Sequence, residues 1–129
     1  MASSPRDVSA SVTGAPVAWV DVGREDDRLV HLSAHGEFDI ATVDVLRLAL
    51  RQQLRAGRRS VALDLSAVTF MDVAGIDVIA DAQQDFIASG ATLLITNPSR
   101  QVSRLLRFAG LDNKLLAAHR DAAEVIRRA

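Results

Sequence analysis

The histidines His31 and His35 bracket Ser33 in the stretch VHLSAH, a set of side chains that could hold zinc or activate a hydroxyl. Both chemistries fail on spacing. The stretch alternates apolar and polar residues and reads as a strand, so the two rings share a face but stand about 13 Å apart along it. Zinc needs each ring nitrogen within about 2 Å of the ion. Ser33 lies one strand pair from either ring, and the sequence places no carboxylate to complete a triad. His31 and His35 therefore read as surface or hairpin histidines. The chain has no cysteine, and it contains no Walker loop, GxGxxG, CxxC or HExxH. Asp39, Asp64 and Asp72 are the carboxylates expected to gather near one sheet end, where oxygen ligands could take a divalent ion. Turn and cap aspartates are the simpler reading. No catalytic residue, metal or cofactor is expected, and the sequence reads as non-enzymatic.

The elements that would position these groups are organised around residues 61–75, VALDLSAVTFMDVAG. Val61–Leu65 is a continuous apolar run broken at Asp64 and Ser66, which predicts a strand buried on both faces followed by a turn. Asp72 is placed to cap a helix over Val73–Ala88, whose apolar mass comes from Ile76, Ile79, Phe86 and Ile87. Asp77, Asp81 and Asp85 recur at four-residue intervals and share one face of it. Gly90 ends the helix, and Ala91–Thr96 is a strand that must run parallel to the earlier one, giving a βαβ unit. Upstream, Val17–Val22 and Leu29–Ala34 read as a hairpin across GREDDR, with Trp19 at the sheet margin. Gly36–Asp39 breaks the second strand. Thr42 then caps a helix over Val43–Ala56, with Leu46, Leu50 and Leu54 buried, Arg47, Arg51 and Arg55 turned away as a solvated stripe, and Gly57 at its end. Downstream, Asn97 and Pro98 start a helix that buries Val102, Leu105, Leu106 and Ala109, exposes Arg100, Arg104 and Arg107, and ends at Gly110. Asp121 and Glu124 begin a last helix.

The chain of 129 residues is long enough for one domain with its own core. Residues 1–15, rich in Ser, Ala, Gly and Pro, read as a mobile tail, and residues 16–129 as the single folded domain. A net charge of -1 supplies no basic field for nucleic acid or anionic lipid. No stretch approaches the roughly 20 apolar residues of a membrane span, and none resembles a signal sequence. With no disulfide possible, a cytoplasmic protein that inserts into no membrane is expected.

Three stretches in order, GEFDIAT at 36–42, VALDLSAVTFMDVAGI at 61–76 and NPSRQVSRLLRFAGLD at 97–112, resemble the STAS domain of single-domain bacterial anti-sigma factor antagonists. The resemblance covers about residues 17–128. It implies an α/β fold with a mixed β-sheet of four to five strands and helices packed mainly on one face. It also implies a non-enzymatic regulator of transcription that binds an anti-sigma factor, itself an ATP-binding serine kinase, and so frees a sigma factor. In the family the switch is a serine in a D-S-S-G motif at the start of the helix after the central strand, and its phosphorylation blocks binding.

Matched to that motif, Asp72 takes the place of the Asp and Gly75 that of the Gly, while Gly36, Glu37 and Asp39 match the G-E-L-D loop beside the site. Val73 and Ala74 replace the two serines. No hydroxyl lies between Met71 and Ala82, so the phosphorylation site is degenerate, and Thr69, the nearest hydroxyl, precedes the loop. The resemblance thus implies a partner-binding module held in its unphosphorylated form. Asp77, Asp81 and Asp85 lie on the helix that family antagonists present to partners, although a solvated face is the simpler reading of them. Other readings open at this point are a STAS scaffold or subunit in a lipid-transport or stress-signalling complex, and a nucleotide or small-ligand sensor near Asp39 and Asp72.

Overall fold

The structure is a computed structural model that describes residues 8–12, 15–25 and 29–110. The order of elements is β1 (Val8–Val12), β2 (Ala15–Glu25), β3 (Val30–Phe38), α1 (Val43–Arg55), β4 (Ser60–Met71), α2 (Val73–Ala88), β5 (Thr92–Thr96) and α3 (Arg100–Phe108). The five strands form one sheet in sequential order, β1-β2-β3-β4-β5. The pairs β1/β2 and β2/β3 are antiparallel. The pairs β3/β4 and β4/β5 are parallel, each joined through a helix as βαβ connections require. The sheet is therefore mixed, as the resemblance implies.

Alternation along the strands decides which face is covered. Val20, Leu32, Leu63 and Ile95 are buried, and they form one cluster with Leu46 and Leu50 of α1, Ile76 and Ile79 of α2, and Val102 and Leu106 of α3. The three described helices thus pack on the same face of the sheet. Burying each such large apolar side chain stabilises the fold by roughly 1.5–3 kcal/mol.

Several local expectations are corrected. Residues 8–12 lie within the expected tail, yet they form β1, which leaves Trp19 on an interior strand and not at a margin. The break at Asp64 and Ser66 is no turn: β4 runs on to Met71. What the polar residues mark is a bulge, because one residue separates Ser33 from His35 on β3 while two separate their partners Asp64 and Ala67 on β4. The Asp64 carboxylate accepts the Ser66 N–H at 2.7 Å and so holds the bulge. Thr69 is a second extra residue, between Val68 and Phe70, whose partners Gly36 and Glu37 are adjacent.

Helix ends differ in similar ways. Thr42 makes no side-chain cap hydrogen bond to α1. The cap for α3 is Ser99, whose hydroxyl accepts the Val102 N–H, while Asn97 adopts a left-handed φ of 47° in the preceding loop. Ile87 is 65 % exposed, because only one flank of α2 meets the sheet and α1. Ala109 is likewise exposed, since it falls past the end of α3. Gly57, Gly90 and Gly110 end their helices with positive φ, as the spacing predicts. The expected helix from Asp121 lies outside the described residues.

Candidate functional site

The C-terminal ends of the parallel strands β3 and β4 open side by side, and the chain leaves each for a helix. Phe38 pairs with Met71 in the last register position, and the Asp72 N–H donates to the Phe38 carbonyl at 3.2 Å. The loop after β3 and the start of α2 are therefore a single unit. Gly36, Glu37 and Asp39 lie on one side of it, and Asp72, Val73, Ala74 and Gly75 on the other.

Each aspartate is occupied by backbone. Asp72 has extended backbone, its side chain accepts the Ala74 N–H at 2.9 Å, and its carbonyl accepts the Gly75 N–H at 3.1 Å. This is an N-cap that ties down one of the free amides of the first turn of α2. Asp39 Oδ1 accepts the Ala41 N–H at 2.9 Å and the Thr42 N–H at 3.1 Å. The Thr42 hydroxyl sits 2.8 Å from the Glu37 carbonyl and accepts the Asp39 N–H at 3.1 Å. Asp39 thus does the work expected of Thr42, one turn earlier. Asp64 does not join them. It lies seven residues before Met71 on β4, about 20 Å along the strand, which removes one member of the expected carboxylate group. Among the described residues no three His, Asp or Glu side chains converge on a point where a metal could bind.

Two glycines are fixed by their neighbours. A Cβ on Gly36, whose φ is 94°, would stand 2.1 Å from the Val17 carbonyl oxygen. One on Gly75 would stand 2.5 Å from Met71 Cγ, because the first turn of α2 is laid directly on that side chain. Met71 is in turn held by Gln101 of α3. The Gln101 amide accepts the Met71 N–H and donates to the Met71 carbonyl, both at 2.8 Å, as a neighbouring strand would. β5 ends at Thr96, opposite Asp64, so the last part of β4 has no strand on that side and a side chain substitutes. Sequence reasoning missed Gln101, and its one signal was a polar residue beside the apolar stripe of α3.

Beside the exposed Glu37, the unit presents apolar side chains outward. Val73 is 58 % exposed, Ile40 84 % and Phe70 44 %, while Ala74 is half-buried against the core. Ile40 and Phe70 also escaped sequence reasoning, since the first reads as loop and the second as part of the expected turn after Leu65. Asp77, one turn beyond Val73, is exposed. Asp81 and Asp85 are exposed as well and line the groove between α1 and α2.

The histidines alternate with the buried Leu32 and Ala34 and so lie on the open face of the sheet. His35 stacks on Trp19 with ring centroids 4.9 Å apart and planes within 2°, and its Nε2 is 3.0 Å from Asp21 Oδ2 without hydrogen-bond alignment. Asp64 is opposite Ser33, a carboxylate placed by bulge and register that spacing alone could not show. Its Oδ2 accepts from Asn97 at 3.2 Å.

The family model of the STAS domain matches residues 22–124. The chain belongs to the STAS family. An anti-sigma factor antagonist from Mycobacterium paratuberculosis is similar over 98 % of this chain and 99 % of its own, with 22 % identity and a TM-score of 0.66. The antagonist SpoIIAA of Bacillus in its unphosphorylated form is similar over 73 % of this chain and 83 % of its own, at 19 % identity and a TM-score of 0.62. The murine solute carrier 26 family member A9, an anion transporter, aligns with 95 % of this chain using 22 % of its own length, at 16 % identity and a TM-score of 0.64. At these identities the structural likenesses speak for the fold. In the described residues no helix is long and apolar enough to cross a membrane.

Proposed function

We propose that this STAS domain acts without catalysis by binding an anti-sigma factor through the paired ends of β3 and β4, thereby freeing a sigma factor for transcription. The observation that carries the reading is the exposed Val73 between the Asp72 cap and Gly75, in a fold shared with anti-sigma factor antagonists. SpoIIAA has been solved in phosphorylated and unphosphorylated forms. Here Val73 and Ala74 offer no hydroxyl to a kinase. A phosphate at this position would bring nearly two negative charges onto the surface that binds. Without an acceptor, the module remains binding-competent in the presence of ATP and a kinase-type partner.

A binding survey against the anti-sigma factors of the same cell tests this reading. It predicts at least one stable complex, weakened by a charge placed at Val73 through Val73→Asp. Absence of binding to every anti-sigma factor would overturn it. The solute carrier likeness supports a second reading, in which the domain is a regulatory part of a larger assembly. Recovery of membrane-transport subunits instead of an anti-sigma factor would favour that alternative.

A further inference from the structure

Two arginines of the α1 stripe, Arg47 and Arg51, are not turned away from the rest of the helix layer. Arg47 and Arg51 of α1 and Asp81 and Asp85 of α2 form opposite rims of a shallow open groove, floored by Leu50, Val78 and Phe86. Each rim repeats its charge at a spacing of four residues, so the two rows rise in step. Both helices return against the parallel strands β3, β4 and β5, and they therefore run in the same direction. Arg47 is paired with Asp44 of its own helix. Among the described residues no ion pair crosses the groove.

We propose that this groove is the contact face of a homodimer whose twofold axis runs along it. A second copy is the occupant that the charges specify. Turning a copy about an axis parallel to the helices lays α1 of one protomer over α2 of the other, so each arginine row meets an aspartate row, twice over. An axis across the helices would instead lay α1 on α1 and oppose like charges. The chain thus carries its own complement and rejects the alternative packing. The floor is already covered within one protomer, with Leu50 1 %, Val78 5 % and Phe86 1 % exposed, so docking gains little apolar burial. The dimer is accordingly weak and sensitive to salt.

Sedimentation velocity on the full chain, from about 10 μM to about 1 mM, tests the proposal without any anti-sigma factor. The expected result is a concentration-dependent dimer at low salt whose dissociation constant rises about tenfold between 20 and 200 mM salt. The variant Arg47→Glu with Arg51→Glu has two acidic rims, and Asp81→Arg with Asp85→Arg has two basic ones. Each should be monomeric alone, and an equimolar mixture should form a dimer containing one of each. Three results would overturn the proposal: a wild-type chain that stays monomeric throughout, a dimer that survives in both variants, or a mixture that does not associate. Should either variant fail to fold by circular dichroism, dilution of the wild-type chain followed by amide NMR decides the matter. Shifts confined to residues 47–54 and 78–86 support the dimer, and unmoved amides there overturn it.

Discussion

Gly75 is required by Met71, not by its own backbone angles. The methionine is 1 % exposed and its Cγ would lie 2.5 Å from an added Cβ, so Gly75→Ala overpacks a closed site. The expected loss is about 1–3 kcal/mol in urea denaturation. In a Met71→Ala background the same change should cost much less, and equal costs in both backgrounds would refute the contact as the cause. Asp64 supplies a second test, in pH. Burial pulls its carboxyl upward, but the Ser66 hydroxyl and N–H, the Asn97 amide and the field of His35 outweigh that and hold it below the ordinary 3.8. A carboxyl lowered by folding contributes stability that is fully present above 3.8 and lost as pH falls through the folded value. Asp64→Asn should therefore be less stable than wild type at neutral pH, and its stability should fall less steeply in acid. Parallel pH profiles for the two proteins would contradict this.

Among the elements, α3 governs the start of α2 through one side chain. Gln101 completes the edge of β4 at Met71, immediately before the Asp72 cap. Gln101→Ala leaves both Met71 backbone groups without that partner, at an expected cost of about 1–3 kcal/mol. Faster hydrogen exchange at Met71 and in the first turn of α2 is the accompanying sign, and unchanged exchange would show that the clamp is dispensable. The limits of α2 were legible in the sequence because a cap aspartate and a terminal glycine are local signals that no tertiary contact overrides here. The continuation of β4 was not, because Asp64 and Ser66 look the same in one chain whether they end a strand or bulge it, and only the register of β3 decides. Gln101 and the arginine and aspartate rims of the groove were hidden for a related reason. Each depends on which helix lies beside which strand, whereas Leu46, Leu50 and Ile76 announce burial by spacing alone.

At the scale of the whole molecule, a mixed sheet with its helices gathered on one face brings two loops together at a single end. Those loops are tied by the Asp72 N–H to the Phe38 carbonyl, and their aspartates serve as caps, so the large exposed side chains left at this end are the apolar Ile40, Phe70 and Val73 beside Glu37. On the proposed reading this surface binds the partner, and it has no hydroxyl at Val73 or Ala74 with which to be switched off. If the partner is a kinase, Ala74→Ser should introduce an acceptor, and ATP should then weaken binding of that variant alone. The most direct measurement is the affinity of the wild-type chain for the anti-sigma factor proposed as its partner, before and after incubation with ATP, with mass spectrometry of residues 69–75. The expected result is unchanged affinity and an unmodified peptide. A phosphate on that segment, accompanied by loss of binding, would contradict the account.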